Sequence, residues 1–191
     1  MPVFHEDWYS DNQVIILAEY YERVRNLEGM VVEIGCWEGK STIGLCNAIY
    51  PEILHAVDHW EGMADQDPNH STIEILKQRN VFKTFTDNIA ECTKINILVH
   101  KMSWQTYFKT LKSTDRIKFC HLDGTHDYKS VHDNIVEILK YIVPNGIICG
   151  DDITTSTKDR KEFNGGVEQA VIDLLPGYGQ IGNLWYWINK I

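Results

Sequence analysis

The chain has 191 residues, a net charge of −9, and 43% hydrophobic against 24% charged residues, an ordinary globular balance that supports one full core and one domain over residues 1–191. No run of Lys and Arg is present to neutralise the phosphates of duplex nucleic acid, and no apolar run is long enough to span a bilayer. Five cysteines, an odd number without a C-x-x-C pair, suit a reduced cytoplasmic chain better than a disulfide scaffold.

The start, MPVFHEDWYSDNQ, is polar and acidic, which argues against a signal peptide. Ser10 and Gln13 form a capping-box pattern, and Val14, Leu17, Tyr21 and Val24 recur at helical spacing, so a helix is predicted over 11–27 with Gly29 ending it. Residues 1–28 then make an N-terminal lid and helix. Met30–Ile34 is an apolar strand. A turn with two glycines, Gly35 and Gly39, leads from it into a helix. The turn ends in Gly39-Lys40-Ser41-Thr42, as a phosphate-binding P-loop does. The P-loop needs its first glycine at position 34, however, which is Ile34 here. The nicotinamide fingerprint fails too, because it would require glycine where Trp37 stands. What survives is a strand–glycine turn–helix unit whose N–H groups can hold an anionic part of a nucleotide-like ligand.

Ile53–Asp58 is a second apolar run ending in an acid, followed by the polar stretch GMADQDPNH. Ser71 and Glu74 suggest another capping box opening a helical region to about Cys92. Ile95–His100 is a third strand, Trp104–Leu111 a short helix, and Arg116–Gly124 holds a fourth strand. Val131, Ile135, Ile138 and Ile142 mark the next helix. Pro144-Asn145-Gly146 then turns the chain into a fifth strand, IICGDD. A polar loop, ITTSTKDRKEFNGG, precedes a short helix over Val167–Leu175. The chain closes with two strand-like runs joined by Gly182-Asn183, a hairpin signal. Five strands alternating with helices imply an α/β, doubly wound, mostly parallel sheet with a C-terminal antiparallel hairpin at its edge.

Ligands of such sheets bind beyond the C-terminal strand ends. The positions of interest are therefore Gly35–Ser41, Asp58-His59-Trp60, Lys101–Ser103, Asp123–His126 and Asp151-Asp152. Asp58 lies where an acid accepts hydrogen bonds from ribose hydroxyls; a surface or capping aspartate is the plainer alternative. Asp123, Asp151 and Asp152 end the fourth and fifth strands. If those strands are neighbours, about 4.8 Å apart, the carboxylates crowd, and crowded carboxylates protonate or bind a cation. Oxygen ligands point to Mg²⁺, Mn²⁺ or Ca²⁺ rather than zinc; alternatively, one acid caps a turn and faces the helix layer while Lys158, Arg160 or Lys161 balances another. His126, three residues after Asp123 and at a helix start, is placed to act as a general base, or else caps and packs there. His100 and His121 are expected to pack in the core, and Trp185, Tyr186 and Trp187 to serve edge packing. Cys36 has no base partner in view and reads as a small residue beside the ligand.

The run EDWYSDNQVIILAEYYERVRNLEGMVVEIGCWEGKST resembles the opening of class I S-adenosylmethionine-dependent methyltransferases, in the group that includes macrocin O-methyltransferase-like small-molecule enzymes. Their E-I-G-x-x-x-G-x-S-T turn matches Glu33–Thr42. Their acidic second-strand end matches AVDHWEG, their I-D-G-D-H-S-Y signature matches LDGTHDY, and their G-D-D matches Gly150–Asp152. The resemblance extends over residues 7–190. It implies that the turn holds S-adenosylmethionine, with Gly35, Cys36, Gly39 and Ser41 at the methionine part and Glu33 at its ammonium group. Asp58, with His59 and Trp60 beside it, would take the ribose; Met102, Ser103 and Trp104 would lie near the adenine. It further implies O-methylation of a small molecule, a sugar hydroxyl being one candidate. A divalent cation on Asp123, Asp151 and Asp152 would lower the acceptor pKa while His126 takes the proton. Trp8 and Tyr9 would help cover the acceptor. Two departures stand out: Thr125 replaces the second aspartate of D-G-D-H, and Asp127 replaces the serine. VHKMS also lacks the glycine common before the serine after the third strand. A metal-independent methyltransferase and a non-catalytic S-adenosylmethionine-binding protein are the competing readings. A homo-oligomer is compatible with the sequence.

Overall fold

The computed structural model describes residues 1–6, 8–62, 71–153 and 165–190. The predicted alternation of strands and helices is borne out. In chain order the elements are α1 (Asp11–Glu22), β1 (Met30–Ile34), α2 (Lys40–Ile49), β2 (Leu54–Asp58), α3 (Ser71–Gln78), α4 (Val81–Ala90), β3 (Ile97–Lys101) and α5 (Trp104–Thr110). Then follow β4 (Ile117–Leu122), α6 (Tyr128–Ile138), β5 (Ile142–Gly150), α7 (Gly166–Leu174), β6 (Gly179–Ile181) and β7 (Leu184–Ile188).

The strands form a seven-stranded sheet in the order β3-β2-β1-β4-β5-β7-β6. β1 to β5 pair in parallel, and the β6–β7 hairpin joins antiparallel. Consecutive β3, β2 and β1 run one way from the centre, and β4 and β5 the other. The order therefore reverses between β1 and β4, and a crevice opens above their C-terminal ends. On one face α1 and α2 pack Leu17, Tyr20, Tyr21, Leu45 and Ile49 onto Val31, Leu54, Phe119 and Ile147. On the other, α5, α6 and α7 pack Tyr107, Phe108, Ile135, Ile138 and Val171 onto Val32, Val57, Cys120 and Ile148. Both faces are covered, so the central strands are mostly apolar, with Glu33, Lys118 and His121 as buried exceptions.

Several boundaries differ from expectation for local reasons. The Ser10–Gln13 capping box forms, but α1 stops at Glu22. Arg23, Val24 and Leu27 donate to residues three back, tightening the chain into turns. The helical region from Ser71 is two helices, because the Asn80 side chain accepts from Lys83 N and restarts it as α4. Ser71 itself is the first residue of α3. Ile142 opens β5 instead of closing α6, and Pro144-Asn145-Gly146 lies inside β5 as an irregularity in its pairing with β4, with Asn145 at φ 63°. Trp185 is not an edge residue: β7 lies between β5 and β6, and Trp185 is 1% exposed within the core. The stretches 63–70 and 154–164 of the two polar loops, with the proposed balancing cations Lys158, Arg160 and Lys161, lie outside the described residues. Among the described residues no helix is long and apolar enough to cross a membrane.

Candidate active site

The crevice above β1 and β4 is a cavity of about 350 Å³. One end is the glycine turn. Gly35, at φ 88°, passes so close to the next strand that a Cβ there would sit 2.0 Å from the Asp123 carbonyl oxygen. Only glycine allows β1 to leave the sheet at that point. Asp58, at the end of β2, then fixes the turn from the side. Its Oδ2 accepts from Cys36 N (2.9 Å) and Trp37 N (3.0 Å), and its Oδ1 accepts from Trp60 N (2.7 Å). Asp58 thus does what a capping aspartate does and still borders the cavity. A carboxylate has about four acceptor sites, so one remains for a ligand.

Seven of the ten positions expected at the cofactor border the cavity: Gly35, Cys36, Gly39, Ser41, Asp58, His59 and Met102, and Trp104 joins them. Three do not. Glu33 lies beneath the floor, fully buried, with Oε2 accepting from Thr42 Oγ1 (2.5 Å) and Oε1 3.3 Å from His121 Nδ1. Strand alternation explains this: Glu33 faces α2, and its neighbour Ile34 faces the cavity. Trp60, at φ 56°, turns its indole under the turn, donating to Trp37 O (2.8 Å) and packing on Phe82 and Phe85. Ser103 caps α5 through Thr106 N (3.3 Å). Burial holds the Cys36 thiol well above its ordinary pKa, so it is no nucleophile.

The other end is acidic. β4 pairs with β5, which brings Asp123 together with Asp151 and Asp152 as anticipated. Burial first, and then the Asp151 and Asp152 charges, push the Asp123 carboxyl well above the usual carboxylate range. Burial and then the Asp152 charge push Asp151 up to about 6. The trio does not converge, however. Asp151 borders the cavity too, but its carboxylate is engaged elsewhere: its Oδ2 accepts from Gln13 Nε2 (2.6 Å) and its Oδ1 from Asp152 N (2.8 Å). Its carbonyl accepts from Trp185 Nε1 at 3.2 Å. His126 takes its place. His126 Nε2 is 2.7 Å from Asp152 Oδ2, and donor atoms of Asp123, His126 and Asp152 all lie within 4.8 Å of one another. Asp152 sits at φ 60°, a strained conformation that aims its side chain back at His126.

The two departures from the family motif have different consequences. Asp127 caps α6, its Oδ1 accepting from Ser130 N (3.0 Å), which a serine could also do. Thr125 borders the cavity, and its buried hydroxyl finds no partner among the described residues.

The N-terminal segment roofs the cavity with Phe4, Glu6, Trp8 and Tyr9. Val3 exchanges two hydrogen bonds with the Asn88 side chain. His5 N donates to Glu38 Oε2 (2.6 Å), and Arg79 pairs with both Glu6 and Glu38. Trp8 packs against Trp37, which donates to Glu6. Tyr9 reaches inward to His121 Nε2 (3.5 Å). Sequence reasoning found Trp8 and Tyr9 but missed Phe4, Glu6 and the Glu38–Arg79 latch. Their partners are 30 to 90 residues away, and no local pattern marks them. His121 is fully buried as expected; His100 is only partly so, stacked on His55.

The fold and this crevice define the Rossmann-like methyltransferase class. A family model described as "Methyltransferase domain" matches residues 32–153, and the chain belongs to that family of S-adenosylmethionine-dependent enzymes. A search of curated proteins found no matching sequence. Among solved structures, the fold is similar to the O-methyltransferase TomG from Streptomyces achromogenes, involved in tomaymycin synthesis and determined with SAM. The TM-score is 0.66 at 17% identity, over 95% of this chain and 81% of that one. It is also similar to the O-methyltransferase NovP (0.60, 19% identity, 94% and 80%). A third is CalS11, a TDP-rhamnose 3′-O-methyltransferase of calicheamicin biosynthesis (0.60, 15% identity, 94% and 80%).

Proposed function

We propose that the chain transfers the methyl group of S-adenosylmethionine to a hydroxyl of a small molecule, with a divalent cation at the acidic end, in the manner of the macrocin O-methyltransferase-like group. The carrying observation is that one cavity joins the glycine turn to the Asp123–His126–Asp152 cluster. The donor lies against the turn: N–H groups at the start of α2 and Ser41 suit its carboxylate, the remaining acceptor site of Asp58 its ribose, and Met102 with Trp104 its adenine. A sugar hydroxyl is the leading acceptor, because aromatic walls from Trp8, Trp37 and Tyr9 suit the apolar face of a pyranose and because CalS11 acts on a rhamnose.

The residues present fit a cation. Three donor atoms converge, and burial together with the neighbouring acids favours the protonated form of Asp123 unless positive charge is near. One imidazole with two carboxylates suits Mn²⁺ or Mg²⁺. The ligand set we propose is Asp123, His126 and Asp152, with Asp151 held aside by Gln13. When bound, the cation lowers the pKa of the acceptor hydroxyl. The chain's own residues orient donor and acceptor in line and exclude water beneath the roof of Phe4, Glu6, Trp8 and Tyr9. The whole chain works as one domain, residues 1–28 supplying the roof and the helix that carries Gln13. Five free cysteines favour a reducing, cytoplasmic location.

A second reading is favoured by the 2.7 Å contact between His126 and Asp152. In it no cation is needed; Asp152 orients His126, which takes the acceptor proton as a general base. One experiment separates the two. The protein is given methyl-labelled S-adenosylmethionine and a panel of hydroxyl acceptors, sugar nucleotides first, with and without EDTA. Label on oxygen that disappears with EDTA and returns with Mg²⁺ or Mn²⁺ supports the cation; transfer undiminished by chelation supports the dyad. No transfer to any hydroxyl, with transfer to amines, would reject the O-methyltransferase reading.

A further inference from the structure

A pair of histidines lies outside the cavity lining, at the β2–β3 edge of the sheet. β2 and β3 pair with His55 opposite Leu98 and Val57 opposite His100, so His55 and His100 project from the same face as diagonal neighbours. Their ring planes lie within 9° of parallel with centroids 5.3 Å apart, and His100 Nε2 stands 3.2 Å from His55 Nδ1, so the two nitrogens face each other edge to edge. The Tyr107 hydroxyl, from α5, approaches the same His55 Nδ1 at 3.2 Å.

This arrangement is oversubscribed. An imidazole nitrogen carries either one N–H or one lone pair, so His55 Nδ1 can make one good hydrogen bond, and two partners compete for it. The hydroxyl can donate there, which leaves His100 Nε2 facing an occupied nitrogen. Two imidazole nitrogens bound to one tetrahedral ion, at the usual metal–nitrogen length, stand about 3.3 Å apart. The observed separation is within a tenth of an ångström or so of that figure. Both rings are partly accessible, one on the edge strand and one on the strand beside it, so an ion and its waters can reach them. Burial lowers the pKa of both rings, and for His55 the neighbouring His100 adds to the effect. The neutral form that ligates metals is therefore the form present near pH 7. Asp115 adds negative charge near His55.

We propose that His55 Nδ1 and His100 Nε2 form a two-imidazole site for a borderline transition cation such as Zn²⁺, Ni²⁺ or Cu²⁺, with the Tyr107 oxygen beside it and water completing the shell. Imidazole selects these ions over Mg²⁺, which keeps to oxygen ligands. The site is separate from the Asp123–His126–Asp152 cluster and does not rest on the methyltransferase reading. Because β3 is the edge strand, an ion here staples β3 to β2 and raises stability by mass action.

The test uses the untagged 191-residue chain in excess Mg²⁺, which occupies an oxygen-rich site and leaves imidazoles free. Ni²⁺ is titrated by calorimetry into the wild type, His100→Gln and His55→Gln. Cu²⁺ is added to the wild type in parallel and followed by electron paramagnetic resonance. The proposal expects one equivalent of Ni²⁺ per chain, an affinity weakened about tenfold or more in either variant, and hyperfine coupling of Cu²⁺ to two nitrogens. A rise in the melting temperature with Ni²⁺ should accompany binding in the wild type only. Equal Ni²⁺ affinity in wild type and variants would overturn the proposal, and so would nitrogen coupling that survives in His126→Gln but vanishes in neither edge variant. The copper spectrum keeps the test open even if a variant folds poorly.

Discussion

The two ends of the cavity are built by different means. The turn end is made from backbone: Gly35 lets β1 pass Asp123, and Asp58 gathers three N–H groups. The acidic end is made from side chains brought in by β4, β5 and α1, and their directions decide which of them can act together. A backbone site is specified by a few adjacent residues. A side-chain site depends on contacts such as Gln13–Asp151, which are 138 residues apart. The first kind tolerates little local change; the second can be retuned one residue at a time.

The largest effect should come from breaking the turn end. Gly35→Ala places a Cβ against the Asp123 carbonyl in a left-handed conformation, and the strands cannot part without disrupting the sheet centre. Urea denaturation should show a loss of about 4 kcal/mol or more, or no folded protein at all. A variant of near wild-type stability would mean that the strands do not approach as described.

Next in size is the acidic end. Asp152→Asn should keep the fold and the binding of S-adenosylhomocysteine while turnover falls by about 10²–10⁴. Asp151→Asn should cost less, because Asp151 serves Gln13 and the backbone instead of the cluster. If the Asp151 variant were the more damaged, the acids would be grouped as the sequence first suggested. A smaller change belongs to Asp58→Ala, which strands three N–H groups and one ligand contact. Calorimetry should show S-adenosylhomocysteine binding weakened by about 1–3 kcal/mol; unchanged binding would leave Asp58 a capping residue only.

The smallest effect lies at the sheet edge. Both His55 and His100 have lowered pKa values in the folded chain. The unfolded chain therefore binds more protons, and the contribution to stability is present above the unfolded value near pH 6.5 and lost as pH falls toward the folded values. Melting temperature in a metal-free buffer should decline from about pH 7.5 to about pH 5.5 more steeply in the wild type than in His100→Gln. Parallel curves would show that the pair carries no such linkage.

Much of this was legible in the sequence. The strands announce themselves as apolar runs, and β1 falls over Met30–Ile34 as read. The acid-terminated β2 and β4 place Asp58 and Asp123 without any structure. What was not legible depends on side-chain direction or on distant partners. Glu33 and Trp60 stand in the right segment but face away, one by strand alternation, the other by a positive φ. Asn80 reads as one more polar residue in a helix until its cap is seen. His126 replaces Asp151 in the cluster because Gln13, from a helix expected only to carry a cap, claims Asp151. The Arg79 latch joins three segments with no sequence relation to one another.

The central claim is that one cavity holds the methyl donor at its backbone end and a cation at its side-chain end. The direct measurement is Mn²⁺ titration, followed by electron paramagnetic resonance, of wild type and Asp152→Asn, each saturated with S-adenosylhomocysteine as verified by calorimetry. One Mn²⁺ bound to the wild type and none to the variant, with equal S-adenosylhomocysteine in both, is the predicted result. A wild type that binds S-adenosylhomocysteine but takes up no Mn²⁺, or binds it equally in the variant, would contradict the account.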